Sequence, residues 1–417
     1  MGQMTGTPSP TAAEITIPAG AVDTDTNAVF NMNLTDLRPD SVTYEISLKD
    51  TTGNSVTLDS PAKVTTNIGA NLTNVVVKHS GTPMTNVTSR DSLTDGSYYY
   101  KKSTGELIIC SSTFSPFEIS YDYNPVASVN GVGYTTLSSA IKAANDGDTV
   151  VMLKDDTTWG LAMDKDITLD LNGHILKGFV ANYTVYLRNG SRVTIKNGTI
   201  SMPENRVGAG VYLGEGNNHL TLQNVTISSK YIGVWSNSGE NTATIENSNI
   251  SSKFIGVYQN GSYGGNTFNI RNTKITDTYG VGVYISNSVN NDKQTLIIDD
   301  CTISGHSGVE IKHTNATITN STLIGTSTPT GSGVNGNGTC TDGYAFAATT
   351  NGVNDYVTGN VSVSSCKFYS GSTTEGDPNG YVFVYKVAEG SSVTIDDKPV
   401  TDYNTYGGEV SEGGSEE

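Results

Sequence analysis

Charge is scarce in this chain: Asp, Glu, Lys and Arg make up 16% of its 417 residues, and 41 acidic residues outnumber 24 basic ones, for a formal net charge of −17. A protein so short of positive charge has no basic stripe to meet phosphate backbones or anionic lipid headgroups, so nucleic acid and charged membrane surfaces are set aside as partners. Long apolar runs are missing as well. No stretch approaches the roughly 20 apolar residues of a membrane span, and no direct membrane insertion is expected. The Leu, Glu, Lys and Ala load of a helical protein is also absent, so helical architectures are disfavoured. Cysteine is limited to Cys110, Cys301, Cys340 and Cys366. No CxxC occurs and no spacing has metal-ligand character, so no metal or other cofactor is expected. Four scattered cysteines suit buried thiols better than a disulfide framework; if one pair is bridged, Cys340 with Cys366 is the pair to expect.

What fills the space is glycine, 46 residues of it, with Asn, Thr and Ser. Such a chain suits many short strands joined by tight turns. The 35% apolar fraction is enough to form cores. A chain of this length is too long for one ordinary core, so two or more units are expected. The opening MGQMTGTPSPTAA lacks the basic region and apolar core of a signal peptide, and residues 1–11 read as a disordered leader. The closing YGGEVSEGGSEE, within 404–417, reads as an acidic flexible linker. Both ends look cut from something longer, and the expectation is an extracellular protein, secreted or on a bacterial cell surface, whose export and anchoring signals lie outside this stretch.

A motif of the form apolar-x-apolar-x-Asn-x-x-apolar recurs through the C-terminal two thirds. It reads VTIKNGTI, LTLQNVTI, ATIENSNI, FNIRNTKI, LIIDDCTI, ATITNSTL and VSVSSCKF, with ITLDLNGHIL as an imperfect first copy. The turn position is held by Asn197, Asn224, Asn247, Asn272, Asp300, Asn320 and Ser365, and the first five steps span 20 to 28 residues. That period is too short for a propeller blade and lacks a helical segment. It fits a stack of parallel strands, one coil per repeat, each pairing with the coils above and below. Asn recurring at one corner can form an amide ladder along such a stack, a structural role. Cys301 and Cys366 share one position in non-adjacent coils, beyond bridging distance. A second motif, TVYL, GVYL, GVWS, GVYQ, GVYI and GVEI, precedes each corner and predicts a second parallel sheet. Right-handed crossovers set the hand. In GYTTLSSAIKAANDGDTVVML, Leu137, Ala140, Ile141 and Ala144 are at helical spacing. They predict an amphipathic capping helix at 135–145 over the first coil.

The helix, the GDTVVML strand, ITLDLNGHIL and the NGTI-type coils resemble the pectin-lyase-like right-handed parallel β-helix superfamily, in the form found in adhesin-like surface proteins of Gram-positive gut bacteria. The likeness covers about 126–400. It implies a β-helix over 126–403, and the alternating segments before it predict a small antiparallel β-sandwich at 12–125, so the whole chain is expected to be all-β. Residues 326–357 interrupt the period, as one degenerate coil or a Gly-rich loop. The alternating segments VTYEISLKD, NVVVKHSG, SYYYKKSTGELIIC and FEISYDY point to roughly seven antiparallel strands in the first unit. VKHSGTPM, YYYKKSTGELII and FSPFEISY resemble a module recurring in clostridial surface proteins, which implies an accessory role and no chemistry.

Function is sought on the second sheet. The residue after Val in its motif is Tyr186, Tyr212, Trp235, Tyr258, Tyr284 and then Glu310. With the valines pointing inward, alternation turns five rings outward into a column about 19 Å long at the ~4.8 Å strand spacing. Stacked rings also stabilise a sheet face, but an exposed aromatic patch marks a binding surface. Glu310, Lys312 and His313 are expected to give that face a charged edge. Acid–base candidates occur in DDCTISGHSGVEIKH, namely Asp300, His306, Glu310 and His313. Hydrolases of the resembled superfamily carry facing carboxylate pairs, and its lyases a calcium-binding acidic cluster with a basic residue. Here Asp300 holds a corner while Glu310 sits on another sheet, and no cluster of three carboxylates is visible. The leading expectation is therefore a non-catalytic, monomeric binding protein whose aromatic face meets a host or dietary glycan, glycoprotein or immunoglobulin. A polysaccharide lyase or glycoside hydrolase, and a structural stalk, are the alternatives.

Overall fold

Period-two alternation builds both parts of the chain. The computed structural model describes residues 13–22, 28–38, 40–69, 72–122, 124–179, 182–202, 207–237, 239–261, 265–287, 294–327, 343–350, 356–371, 382–400 and 405–406. The chain divides into two compact units, Met1–Ala140 and Ile141–Glu417.

In the first unit, strand Ser41–Asp50 buries Val42, Tyr44, Ile46 and Leu48 and turns the residues between them outward. It belongs to a five-stranded sheet that starts at the edge strand Ala28–Arg38, and a second five-stranded sheet runs from Glu14–Thr16 through Ala62–Asn67 to Thr85–Asn86. Side chains of both sheets, among them Tyr44, Val64, Val77, Ile109 and Phe117, form one core. The architecture is the expected sandwich, with more strands than the alternating segments suggested because short edge pieces such as Thr82–Pro83 pair too. One pairing, Thr85–Asn86 with Ser97–Lys101, is parallel.

The second unit is a right-handed parallel β-helix. One coil shows the plan: strand Thr242–Glu246, a corner at Asn247, strand Asn249–Ser252, and then Ile255–Gly261 in the second sheet. The first two strands lie in one long bent sheet and the third in a ten-stranded sheet. Registers carry like residues into line. Ile245, Ile270, Ile298, Ile318 and Val363 stack along the first sheet. Val185, Val211, Val234, Val257, Val283 and Val309 stack along the second. All of these are buried at 2% exposure or less, so each contributes on the order of 1.5–3 kcal/mol of apolar burial.

The corners explain the repeated Asn more directly than an amide ladder does. Asn197, Asn224, Asn247, Asn272, Asp300, Asn320 and Ser365 all have φ between 43° and 57°, the left-handed region in which Asn and Asp are tolerated best after Gly. The ladder exists in part: Asn224 Nδ2 donates to Asn197 Oδ1 at 3.2 Å, and Asn272 Nδ2 to Asn247 Oδ1 at 2.6 Å.

The glycines of the second motif are fixed by close approach. A Cβ on Gly256 would lie 2.3 Å from Ile275 Cγ2 and 2.4 Å from the Gly282 carbonyl oxygen, so only glycine lets the two sheets meet at that edge. The expected helix forms at Leu137–Ala143. Lys165 Nζ ties down its end, donating to the carbonyls of Ile141, Lys142 and Ala144 at 3.3, 2.7 and 2.6 Å. Within the period-breaking 326–357 segment, Phe346–Thr349 pairs in parallel with Ser307–Lys312, so this part is a coil of the stack. Residues 328–342 and 351–355, and with them Cys340, lie outside the described residues. Cys110, Cys301 and Cys366 are free thiols. The corner positions of Cys301 and Cys366 are separated by the intervening Ser321 coil.

Candidate functional site

The aromatic residues of the second sheet stand in register on its outer side, each beside the next: Tyr186, Tyr212, Trp235, Tyr258 and Tyr284, then Glu310. Val at the preceding position is buried inward, which forces the ring outward by strand alternation. Successive ring centroids are 5.4, 5.1, 5.7 and 5.7 Å apart. The arrangement alternates tilted, edge-on and near-stacked pairs, as ring quadrupoles favour.

The face is less exposed than a bare column would be. Tyr212 retains 8% exposure and Tyr284 none, while Tyr186, Trp235 and Tyr258 are half-buried. The cause is a second set of apolar residues beside the column. Ile232, Ile255 and Val281 line up along it, and Tyr183, Tyr231 and Phe254 pack against them. Tyr183 stacks on Tyr212 at 4.0 Å, and Tyr231 on Phe254 at 4.7 Å. Motif reading missed these flanking rings, although the aromatic before Ile-Gly-Val in KYIGVW and KFIGVY is a repeat in its own right. Asn237 Nδ2 donates to the Tyr212 hydroxyl at 2.8 Å, and burial pushes that phenol up to about 12. Among the described residues the enclosed Trp235 indole N–H has no hydrogen-bond partner, an unusual cost on an otherwise well-packed face.

Glu310 and Lys312 continue the face, but not as an exposed charged edge. Both are fully buried, with Lys312 Nζ 3.3 Å from Glu310 Oε1 and 5.4 Å from the Tyr284 ring centroid. Thr349 Oγ1 donates to Glu310 Oε1 at 3.4 Å. Desolvation lowers the Lys312 ammonium below its usual range, and the Glu310 charge opposes that shift. A buried pair of this kind orders a packing layer, and its contact with bulk solvent is nil.

The remaining acid–base candidates are not brought together. Asp300 is exposed at a left-handed corner of the first sheet, whereas Glu310 faces outward from the second. His306 is half-buried between Thr302–Gly305 and Ser307–Lys312. His313 is 2% exposed, with Nδ1 3.0 Å from Thr358 Oγ1. Among the described residues no three His, Cys, Asp or Glu side chains are grouped to hold a metal ion. An open polar groove of about 540 Å³ follows the corner past Asn224, Asn247, Asn272 and Asp300; it is the concavity of the bend itself.

A polar column inside the other corner also went unread in the sequence. Asn218, Asn241, Asn266 and Gln294 are at most 1% exposed. Asn218 N donates to Asn241 Oδ1 at 2.9 Å and Asn241 N to Asn266 Oδ1 at 3.0 Å, so Asn241 and Asn266 each satisfy the backbone of the coil before.

With this geometry in place, one comparison with known proteins bears on the fold. The family described as right handed beta helix region matches residues 183–341, the stretch that carries the aromatic face. The catalytic unit of a thermostable GH87 α-1,3-glucanase from Streptomyces thermodiastaticus strain HF3-3 is 13% identical, with 88% of this chain and 76% of that chain covered. Its TM-score of 0.24 carries no argument about fold or activity. No curated protein sequence matches the chain. Fold and registers together define a right-handed parallel β-helix, and the family match agrees with that fold over residues 183–341. No helix among the described residues is long and apolar enough to cross a membrane.

Proposed function

We propose that the protein is a non-catalytic binding protein, extracellular and secreted or held at a bacterial cell surface, whose β-helix offers the aromatic face of its second sheet to a host or dietary ligand. Glycans, glycoproteins and immunoglobulins all have amphipathic surfaces suited to rigid Tyr and Trp rings. The observation that carries this reading is the unbroken run of rings across five coils, with Tyr186, Trp235 and Tyr258 still half-open. Core packing alone does not require large amphipathic rings on the outer side of a solenoid. The separation of Asp300 from Glu310 and the enclosure of Glu310 support binding over hydrolysis. The test is a double substitution, Trp235→Ala with Tyr258→Ala, measured against glycan and host-protein ligands bound by the wild type. Loss of about tenfold or more in affinity is expected (1.4 kcal/mol per tenfold). Unchanged binding to every ligand removes the face from the account.

A further inference from the structure

We infer that Trp159 and Phe179 form a second carbohydrate platform, separate from the aromatic face, that takes a neutral hexose chain. The two residues follow the paired strands Asp156–Thr158 and Ile175–Gly178, so they occupy the same turn position on successive coils. The turn is held by the backbone: Phe179 N donates to the Thr158 carbonyl at 2.8 Å, and Gly160 N to Thr158 Oγ1 at 3.2 Å. Their rings meet edge to face, with centroids 5.0 Å apart and planes at 73°. Even so, Trp159 is 70% exposed and Phe179 54%, and neither joins the cluster around Tyr212 and Tyr284.

An edge-to-face pair stabilises by roughly 1 kcal/mol, which does not explain leaving most of an indole in water. The open ring surface is on the order of 300 Å², from the 150–250 Å² that each such side chain can bury. A stable protein interface needs about 800 Å² per partner, so this patch is too small for a second copy of the chain or another folded protein to dock on alone. One or two pyranose rings match it. The C–H face of a sugar packs on the flat ring while its hydroxyls stay in water. The neighbouring Thr157, Thr158, Gly160 and Gly178 are uncharged, Lys154 and Lys177 balance Asp155 and Asp156, and the whole chain carries −17. A locally neutral surface on an acidic chain gives polyuronates no net attraction and suits neutral hexoses.

Only two tryptophans occur in the chain, Trp159 and Trp235, so each surface can be read by its own fluorophore. Trp235→Phe leaves Trp159 to report on the turn pair, and Trp159→Phe leaves Trp235 to report on the sheet face. The probes are maltohexaose, cellohexaose and mannohexaose, with hexagalacturonate as the charged control, and circular dichroism verifies folding. In the Trp235→Phe protein at least one neutral hexasaccharide should change Trp159 emission saturably. Adding Phe179→Ala should weaken that binding about tenfold (1.4 kcal/mol), and hexagalacturonate should give no saturable response. The inference is overturned if no neutral sugar moves Trp159 emission, if hexagalacturonate does so equally, or if Phe179→Ala leaves binding intact. An emission change that follows protein concentration alone, with dimer in sedimentation, would also overturn it. A response from Trp235 without one from Trp159 would leave the sheet face standing and remove only this second platform.

Discussion

Removing one member of the Glu310–Lys312 pair should be far more damaging than removing both. Each side chain is fully buried, and their separation is 3.3 Å. Glu310→Gln leaves an ammonium, and Lys312→Met a carboxylate, in a layer without water. Breaking a buried pair in this way costs about 3–5 kcal/mol, whereas replacing both partners by apolar residues of similar volume is often neutral or stabilising. Glu310→Leu with Lys312→Met should therefore recover most of the loss, giving a coupling energy of several kcal/mol in a double-mutant cycle. The sign of the pH dependence follows from Lys312. Its folded-state pKa lies below the ordinary 10.5, so between the two values the unfolded chain binds more protons. Stability then rises with pH through the folded pKa towards 10.5, more strongly in Glu310→Gln, where the opposing carboxylate is gone. Urea unfolding of the β-helix transition, followed by circular dichroism at several pH values, measures both effects. Single variants that each lose less than about 1 kcal/mol, or a double variant that loses the sum of the two, would refute the claim that the pair is desolvated.

Three further outcomes follow from the packing. Asn247, at φ 50°, should accept glycine nearly without loss, while Asn247→Val should cost about 1–2 kcal/mol because a β-branched residue resists the left-handed region; thermal melting of the two variants compares them. Gly256→Ala should destabilise by about 1–3 kcal/mol as its methyl meets Ile275 and the Gly282 carbonyl, and a melting temperature unchanged from wild type would show that the two sheets can part there. Asp277 accepts from Ser252 Oγ and from the Tyr279 and Gly280 amides, and burial raises its carboxyl above 3.8. Its ionised form is thus disfavoured in the folded state, so wild-type stability falls as pH rises from about 3.8 through the raised value. Asp277→Asn removes that fall, and its advantage over wild type should grow across the same window in pH-dependent urea titrations.

The coil period and the inward valines were readable because a strand writes its buried face every second residue and each coil repeats that record. The corner Asn positions were equally visible, but their cause was not: a ladder and a left-handed backbone leave the same letter, and only φ separates them. Asn218, Asn241 and Asn266 were hidden because an amide that serves a neighbouring coil's backbone looks in sequence like any polar turn residue. The same limit governs the site. Alternation placed Tyr186 to Tyr284 and Glu310 on one outer face, yet it could not report that Tyr183, Tyr231 and Phe254 would wedge beside them. Nor could it report that Glu310 and Lys312 would be fully enclosed, because enclosure depends on residues distant in the chain. Trp159 and Phe179 belong to no repeated motif, and only the pairing of their strands brings their rings together.

The proposed function requires the second sheet to bind a ligand and leave it chemically unchanged. The most direct measurement exposes the wild-type protein to a panel of neutral and acidic polysaccharides and host glycoproteins, recording binding together with the release of reducing ends and of unsaturated uronate products. Saturable binding to at least one ligand, lost with Trp235→Ala and Tyr258→Ala, and no product of either kind are expected. Sustained product release that survives those two substitutions and disappears with Asp300→Asn or Glu310→Gln would contradict the proposed function.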